Sequence, residues 1–188
     1  EGALPVWFDY RATHNTASVA SFVRDLLGLR GPAFAISTAC SSSAKAFAAA
    51  DRLIATGLAD AAIVGGVDSL CLTTLYGFAS LQLTSPEPCR PCDAGRQGLS
   101  IGEAAAFALL EPAQQPALGA IVLAGWGESS DAHHMSAPHP EGRGSRAAMQ
   151  QALARAGLQP ADVGYINLHG TATPANDSSD GAAVAAVF

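Results

Sequence analysis

Cys40 is the residue whose surroundings first suggest chemistry. It sits in Ser37-Thr38-Ala39-Cys40-Ser41-Ser42-Ser43, between a short apolar run at residues 33–38 and a run of strong helix formers at 41–56. If the first run is a buried strand and the second a helix, the thiol lies at a helix N-terminus. There the unpaired N–H groups and the macrodipole favour an anion, which lowers a thiol pKa and makes a better nucleophile. The same N–H groups can receive the oxyanion of an attacked thioester. Small neighbours leave room for a substrate. Spacing alone also allows Cys40 to be a small buried gap-filler, as most free cysteines are.

His169 follows another apolar run, residues 163–168, and precedes Gly170. A histidine so placed is rigidly aimed, either toward a reacting group or toward a backbone carbonyl. Thr171 and Thr173 alternate, which puts both hydroxyls on one side of an extended segment; turn chemistry beside Pro174 is the other reading. Cys89 and Cys92 form a C-x-x-C pair, but a zinc or redox site needs further ligands or a thioredoxin-like setting. His133, His134 and His139 are read as loop residues, and no metal is expected.

The elements that must hold these residues alternate. Helices are predicted at 16–27, 41–56, 73–81 and 143–156, with Gly28, Gly57 and Gly157 just past three of them. Apolar runs at 33–38, 61–67, 104–110, 120–126 and 163–168 predict buried strands. Residues 84–98 form a loop rich in Pro and Gly, and a last helix opens near Asn176. Residues 1–13 have no clear element. This is an α/β pattern with a layered, mostly buried sheet.

Composition sets the outer limits. The 188 residues are 49% hydrophobic and 14% charged, which is globular and not disordered. A net charge of −6 with ten scattered Lys and Arg argues against nucleic acid. No apolar stretch is long enough to span a bilayer. Four cysteines in a chain of this length make no disulfide framework, so a reducing, cytoplasmic setting is expected.

Five segments, in order, resemble the β-ketoacyl synthases, the condensing enzymes of fatty-acid and polyketide assembly. They are Arg30-Gly31-Pro32 with the S-T-A-C-S-S-S run; the strand from Asp60 to Val67 containing Gly65-Gly66; Arg90-Pro91-Cys92-Asp93 with Arg96, Gly98, Gly102 and Glu103; Ser130 to Ser136; and His169-Gly170-Thr171-Ala172-Thr173-Pro174 with Asn176-Asp177. The resemblance implies a thiolase-like fold, layered α-β-α-β-α. The end of its first half would lie at about 1–103 and the start of its second at about 104–188. It implies a decarboxylative Claisen condensation. Cys40 would take an acyl group from a carrier thioester, and His169 would stabilise the enolate formed when a malonyl-carrier loses carbon dioxide. Thr171, Thr173 and Ser136 would line the path of the pantetheine arm. No cofactor is implied beyond the carrier's phosphopantetheine. The implied partners are acyl carrier protein and a second subunit, identical or not.

Some residues depart from the family pattern: Cys92 stands where Phe is usual, Gln97 where Asp is usual, and Ala172 where Gly or Ser is usual. The family's second histidine, its lysine and its Gly-Phe-Gly turn have no match here. The chain is therefore expected to be an internal piece, inactive alone. A non-catalytic chain-length-factor-like subunit is the alternative, which Cys40 disfavours; a degradative thiolase is disfavoured by H-G-T-x-T-P. An activated Cys40 is expected to be alkylated ahead of Cys71.

Overall fold

The computed structural model describes residues 3–188. Its helices are α1 (Ser18–Leu26), α2 (Ser42–Ala55), α3 (Leu72–Ser80), α4 (Arg143–Ala156) and α5 (Pro174–Ala185). Its strands are β1 (Ala62–Asp68) and β2 (Ala104–Leu110), hydrogen-bonded neighbours in a two-stranded sheet. The cap glycines behave as their positions predict. Gly57 and Gly157 take left-handed backbone, φ 70° and 67°, where a side chain would be strained.

The chain divides into two compact units. One holds the residues up to Val67 together with Ala104–Gln114; the other holds Asp68–Glu103 and Gln115–Phe188. In the first, α2 lies against β2. In the second, α4 packs on α5, and the segment before α4 is fastened to it. The Arg155 guanidinium stacks 3.8 Å over the Trp126 ring and donates to the Trp126 carbonyl, while Glu128 N–H reaches Gln151 Oε1 at 3.4 Å.

Five expectations change. Residues 33–38, 120–126 and 163–168 are not strands. A strand exists only by pairing with a neighbour about 4.8 Å away, and among the described residues these runs share no ladder with another segment. Helix α5 begins at Pro174, two residues before the expected start, because proline fits the first helical position, where no N–H is needed. Its inward face is polar, with Asp177, Ser179 and Asp180 buried beside Ala183, so its apolar periodicity is weak. Finally, the stretch expected to lack an element contains a π-helical turn, Tyr10–His14. The Asp9 side chain accepts Ala12 N–H at 2.9 Å, and Asn15 N–H closes on the Tyr10 carbonyl at 2.7 Å.

The buried apolar residues are small and few: Ala48, Ala50, Val64, Ala172 and Ala183. Large side chains such as Trp7 (70%), Leu118 (106%) and Ile121 (101%) are open to solvent. The accessible surface is 13348 Å², whereas a compact protein of this mass exposes about 8,400 Å². Such apolar faces require covering surface from elsewhere. Residues 1–188 expressed alone are therefore expected to unfold in urea without a cooperative transition. A sharp sigmoidal transition by circular dichroism would contradict this.

Candidate functional site

Cys40 belongs to the first unit and is exposed. The turn that carries it is fastened by hydroxyl groups. Thr38 N–H donates to Ser42 Oγ at 2.8 Å, Ser42 Oγ donates to the Ala39 carbonyl at 2.6 Å, and Ser41 Oγ donates to the Thr38 carbonyl at 2.9 Å. Between them Ala39 has φ 53°, a left-handed conformation costing about 1–2 kcal/mol for a residue with a Cβ. The backbone thus doubles back sharply at Cys40 and enters α2 two residues later. Ser41 and Ser42 are therefore fasteners as well as small neighbours. Gly66 of β1 lets the first turn of α2 come close: a Cβ there would lie 2.6 Å from Ser43 Oγ.

His169 belongs to the second unit. Its ring is exposed and has no hydrogen-bond partner among the described residues. The loop behind it is tightly held. Gly170 and Ala172 both have φ 57°, and Ala172 is fully buried. Gly170 N–H donates to Asp180 Oδ2 at 3.2 Å, and the Ala172 carbonyl accepts Gly98 N–H at 3.1 Å. A Cβ on Gly170 would lie 3.3 Å from the Pro91 ring. The Thr171 and Thr173 hydroxyls are 2.8 Å apart and bonded to each other; the left-handed Ala172 between them, and not an extended segment, brings them together.

The 89–98 loop, treated in the sequence as a separate motif, is the other wall of this loop. Its own turn closes with Asp93 N–H on the Arg90 carbonyl at 3.2 Å, with Pro91 and then Cys92 (φ 63°) at the corner. Cys92 N–H donates to Asp177 Oδ2 at 2.8 Å, and Arg96 Nε lies 3.0 Å from the same oxygen. Cys89 Sγ is 4.0 Å from the Gly170 carbonyl. Cys89 and Cys92 are both free thiols with different neighbours. Asn176 and Asp177 are both visible as motif letters; Asn176 Nδ2 donates to Asp180 Oδ2 within α5 at 3.1 Å, but the partners of Asp177 lie about eighty residues away, and no local pattern reveals such a contact.

Ser136 is exposed. Its N–H and Oγ lie 3.2 and 3.4 Å from His134 Nδ1, and no hydrogen bond joins it to Thr171 or Thr173. The His133 and His139 rings have centroids 4.8 Å apart and planes tilted by 57°, and Asp131 accepts the backbone N–H groups of His139 and Gly144. No group of three or more His, Cys, Asp or Glu among the described residues is arranged to hold a metal ion. No helix among them is long and apolar enough to cross a membrane.

Cys71 is a second thiol to set beside Cys40. It is exposed at the start of α3, and a hydrogen bond with the Thr74 hydroxyl, 3.2 Å away, holds its thiol pKa below the usual value, helped by the Thr74 backbone N–H. A lowered pKa favours the thiolate form of Cys71, so alkylation is read together with acyl transfer. Acyl transfer is the discriminating readout.

Comparison with known proteins agrees with this arrangement. The N-terminal domain model of β-ketoacyl synthases matches residues 5–116, and the C-terminal domain model matches residues 120–188. Nodulation protein E of Rhizobium meliloti is 44% identical over 167 residues, covering 86% of this chain and 41% of its own length. The 3-oxoacyl-[acyl-carrier-protein] synthase 2 of Rhizobium meliloti strain 1021 is 44% identical over 166 residues, covering 82% and 39%. The chain thus spans about two fifths of the length of these relatives. A chain in the structure of the ketosynthase ApeO with its chain length factor ApeC, from Xenorhabdus doucetiae, superposes with a TM-score of 0.88. It is 50% identical, over 93% of this chain and 43% of that one. Two adjoining family models over nearly all the residues and a close superposition lead to one assignment: the chain belongs to the β-ketoacyl synthase family and carries part of its thiolase-type fold.

Proposed function

We propose that this chain supplies the acyl-accepting nucleophile and one catalytic histidine of a β-ketoacyl-carrier-protein synthase. The observation that carries the reading is the turn at Cys40, where three hydroxyl bonds hold an exposed thiol at the start of α2. The Cys40 thiolate attacks the thioester of an acyl carrier; the carrier thiol leaves and an acyl-enzyme remains. A malonyl-carrier then loses carbon dioxide, and the electron pair moves onto its thioester carbonyl as an enolate. His169 donates a hydrogen bond to that oxygen as charge develops. The enolate carbon attacks the acyl group, Cys40 thiolate departs, and a β-ketoacyl-carrier is released.

Thr171 and Thr173 bind the pantetheine arm through their paired hydroxyls, and Ser136 lies at its entrance. No cofactor takes part beyond the phosphopantetheine on the carrier. The partners are acyl carrier protein and a second subunit, a copy or a chain length factor, in a reducing cytoplasm. A purely accessory role leaves Cys40 and its fastened turn without a purpose.

The test uses the complete protein containing this segment, given acyl- and malonyl-carrier protein. One carbon dioxide per β-ketoacyl product is expected, with an acyl adduct on Cys40 when malonyl-carrier is withheld. Turnover without that adduct overturns the reading.

A further inference from the structure

We propose that the buried Arg96–Asp177 pair is a positioning device that aims His169; the catalytic part of this inference rests on the function proposed above. Asp177 stands in the first turn of α5 with its side chain only 3% exposed, and Arg96 is 21% exposed. The carboxylate anchors the 89–98 loop at two points, Cys92 N–H (2.8 Å) and Arg96 Nε (3.0 Å). Arg96 Nη1 in turn donates to the Asp93 carbonyl at 2.8 Å, closing the loop on itself. That loop contains no helix or strand to hold it. It nevertheless supplies two of the groups that hold the His169 loop: Gly98 N–H on the Ala172 carbonyl, and the Pro91 ring against Gly170.

The His169 loop needs that support. Ala172 has a Cβ yet sits at φ 57°, a conformation that persists only where the surroundings impose it. Asp180 grips the loop from α5 through Gly170 N–H, and the 89–98 loop grips it through the Ala172 carbonyl. The pair is poorly built for stability. Asp177 Oδ1 and Arg96 Nε are both buried without a hydrogen bond, so the 3.0 Å contact is a Coulombic one lacking hydrogen-bond alignment. Buried ion pairs of this kind are often matched in stability by apolar substitutes. What an apolar substitute cannot do is hold Cys92 N–H and Arg96 at fixed points on α5.

The test compares Asp177→Asn, Arg96→Met, Arg96→Lys and the double variant Arg96→Met/Asp177→Leu, in which nothing at position 177 can accept Cys92 N–H, in the complete enzyme. Each single charge removal strands a buried charge, so both melt at lower temperature; the double variant strands none and melts close to the parent. If the pair aims His169, the double variant still decarboxylates malonyl-carrier ~30–100-fold more slowly, the loss a displacement of about 1 Å produces. At saturating acyl-carrier the rate of Cys40 acylation stays within about threefold, because that step does not use His169, whereas the KM for malonyl-carrier rises, because Thr171 and Thr173 share the displaced loop. Arg96→Lys recovers part of the rate, since one ammonium cannot serve both Asp177 and Asp93 as the guanidinium does.

A double variant that regains both melting temperature and decarboxylation makes the pair merely structural and overturns the proposal. So does a parallel loss of acylation. Amide exchange gives an arm that needs no activity: Gly98 and Gly170 N–H exchange faster in the double variant while the centre of α4 does not. If exchange behaves so but the parent neither acylates nor decarboxylates, the loop coupling stands and the assigned chemistry fails. If exchange is unchanged, the coupling itself is wrong.

Discussion

Replacing Cys40 with alanine in the complete enzyme is expected to remove acyl-enzyme formation altogether, with condensation falling at least ~10⁴-fold, the scale seen when a covalent nucleophile is deleted. None of the hydrogen bonds that shape the turn uses the Cys40 side chain; they run through Thr38, Ser41, Ser42 and the Ala39 carbonyl. The thiol is exposed, so its loss leaves no cavity and stability changes by no more than about 0.5 kcal/mol. Intact-protein mass spectrometry after incubation with acyl-carrier reads the outcome directly. The parent gains one acyl mass and Cys40→Ala gains none, while both melt together. An adduct that persists in Cys40→Ala assigns the nucleophile elsewhere, and Cys71, the exposed thiol with a lowered pKa, is then the residue to remove next. Cys40→Ser separates geometry from nucleophilicity. It keeps the side-chain shape but offers a hydroxyl that is scarcely ionised, so acylation slows severely without any change of fold.

How far the sequence discloses such a site depends on the range of the forces that build it. Helices α2 and α4 were legible because their signals are local: strong helix formers followed by Gly57 and Gly157, each confirmed at positive φ. Strand β1 was legible to within one residue, and β2 to the residue. The runs at 33–38, 120–126 and 163–168 have the same apolar character but no ladder among the described residues, since pairing is a property of two segments and composition belongs to one. The π-helical turn escaped because its i→i+5 bond has no counterpart in 3.6-residue periodicity. Helix α5 was read late because it buries Asp177, Ser179 and Asp180, the reverse of the usual apolar face.

The candidate site shows the same division. Cys40, His169 and the threonine pair came from short motifs, but the 2.8 Å contact between the Thr171 and Thr173 hydroxyls depends on the left-handed Ala172 between them, which spacing does not disclose. What holds His169 in place did not come from its own segment. Asp177 meets Cys92 across 85 residues, and Gly170 meets Pro91 and Cys89 across a similar span. Two separately read segments, the one around Arg90 to Gly98 and the one from His169 to Asp177, turn out to pack on each other.

His169 carries the second large effect. His169→Ala in the complete enzyme is expected to leave acylation of Cys40 within about threefold while malonyl decarboxylation falls ~10²–10³-fold, the loss typical of deleting one donor to a developing oxyanion. The asymmetry follows from the proposed division of roles: the first acyl transfer would use Cys40 and the helix terminus beside it, and the enolate would be met by His169. His169 stands on a loop held by Asp180 and Gly98, with its ring exposed and free of hydrogen-bond partners among the described residues. Because the ring anchors nothing, truncating it costs little stability, and the kinetic loss is not a folding artefact. His169→Asn restores a neutral donor on a shorter arm and should recover about tenfold of the lost rate if hydrogen bonding to the enolate is the function. Two separate measurements decide the matter: intact mass for acylation, and carbon dioxide release from malonyl-carrier for the second step. Loss of acylation with decarboxylation intact would reverse the assignment and place His169 beside the thiol as its base. Equal loss of both would make it a shared element of the pocket. Only the split result, acyl-enzyme accumulating while malonyl-carrier is left untouched, is consistent with a histidine that acts on the enolate alone.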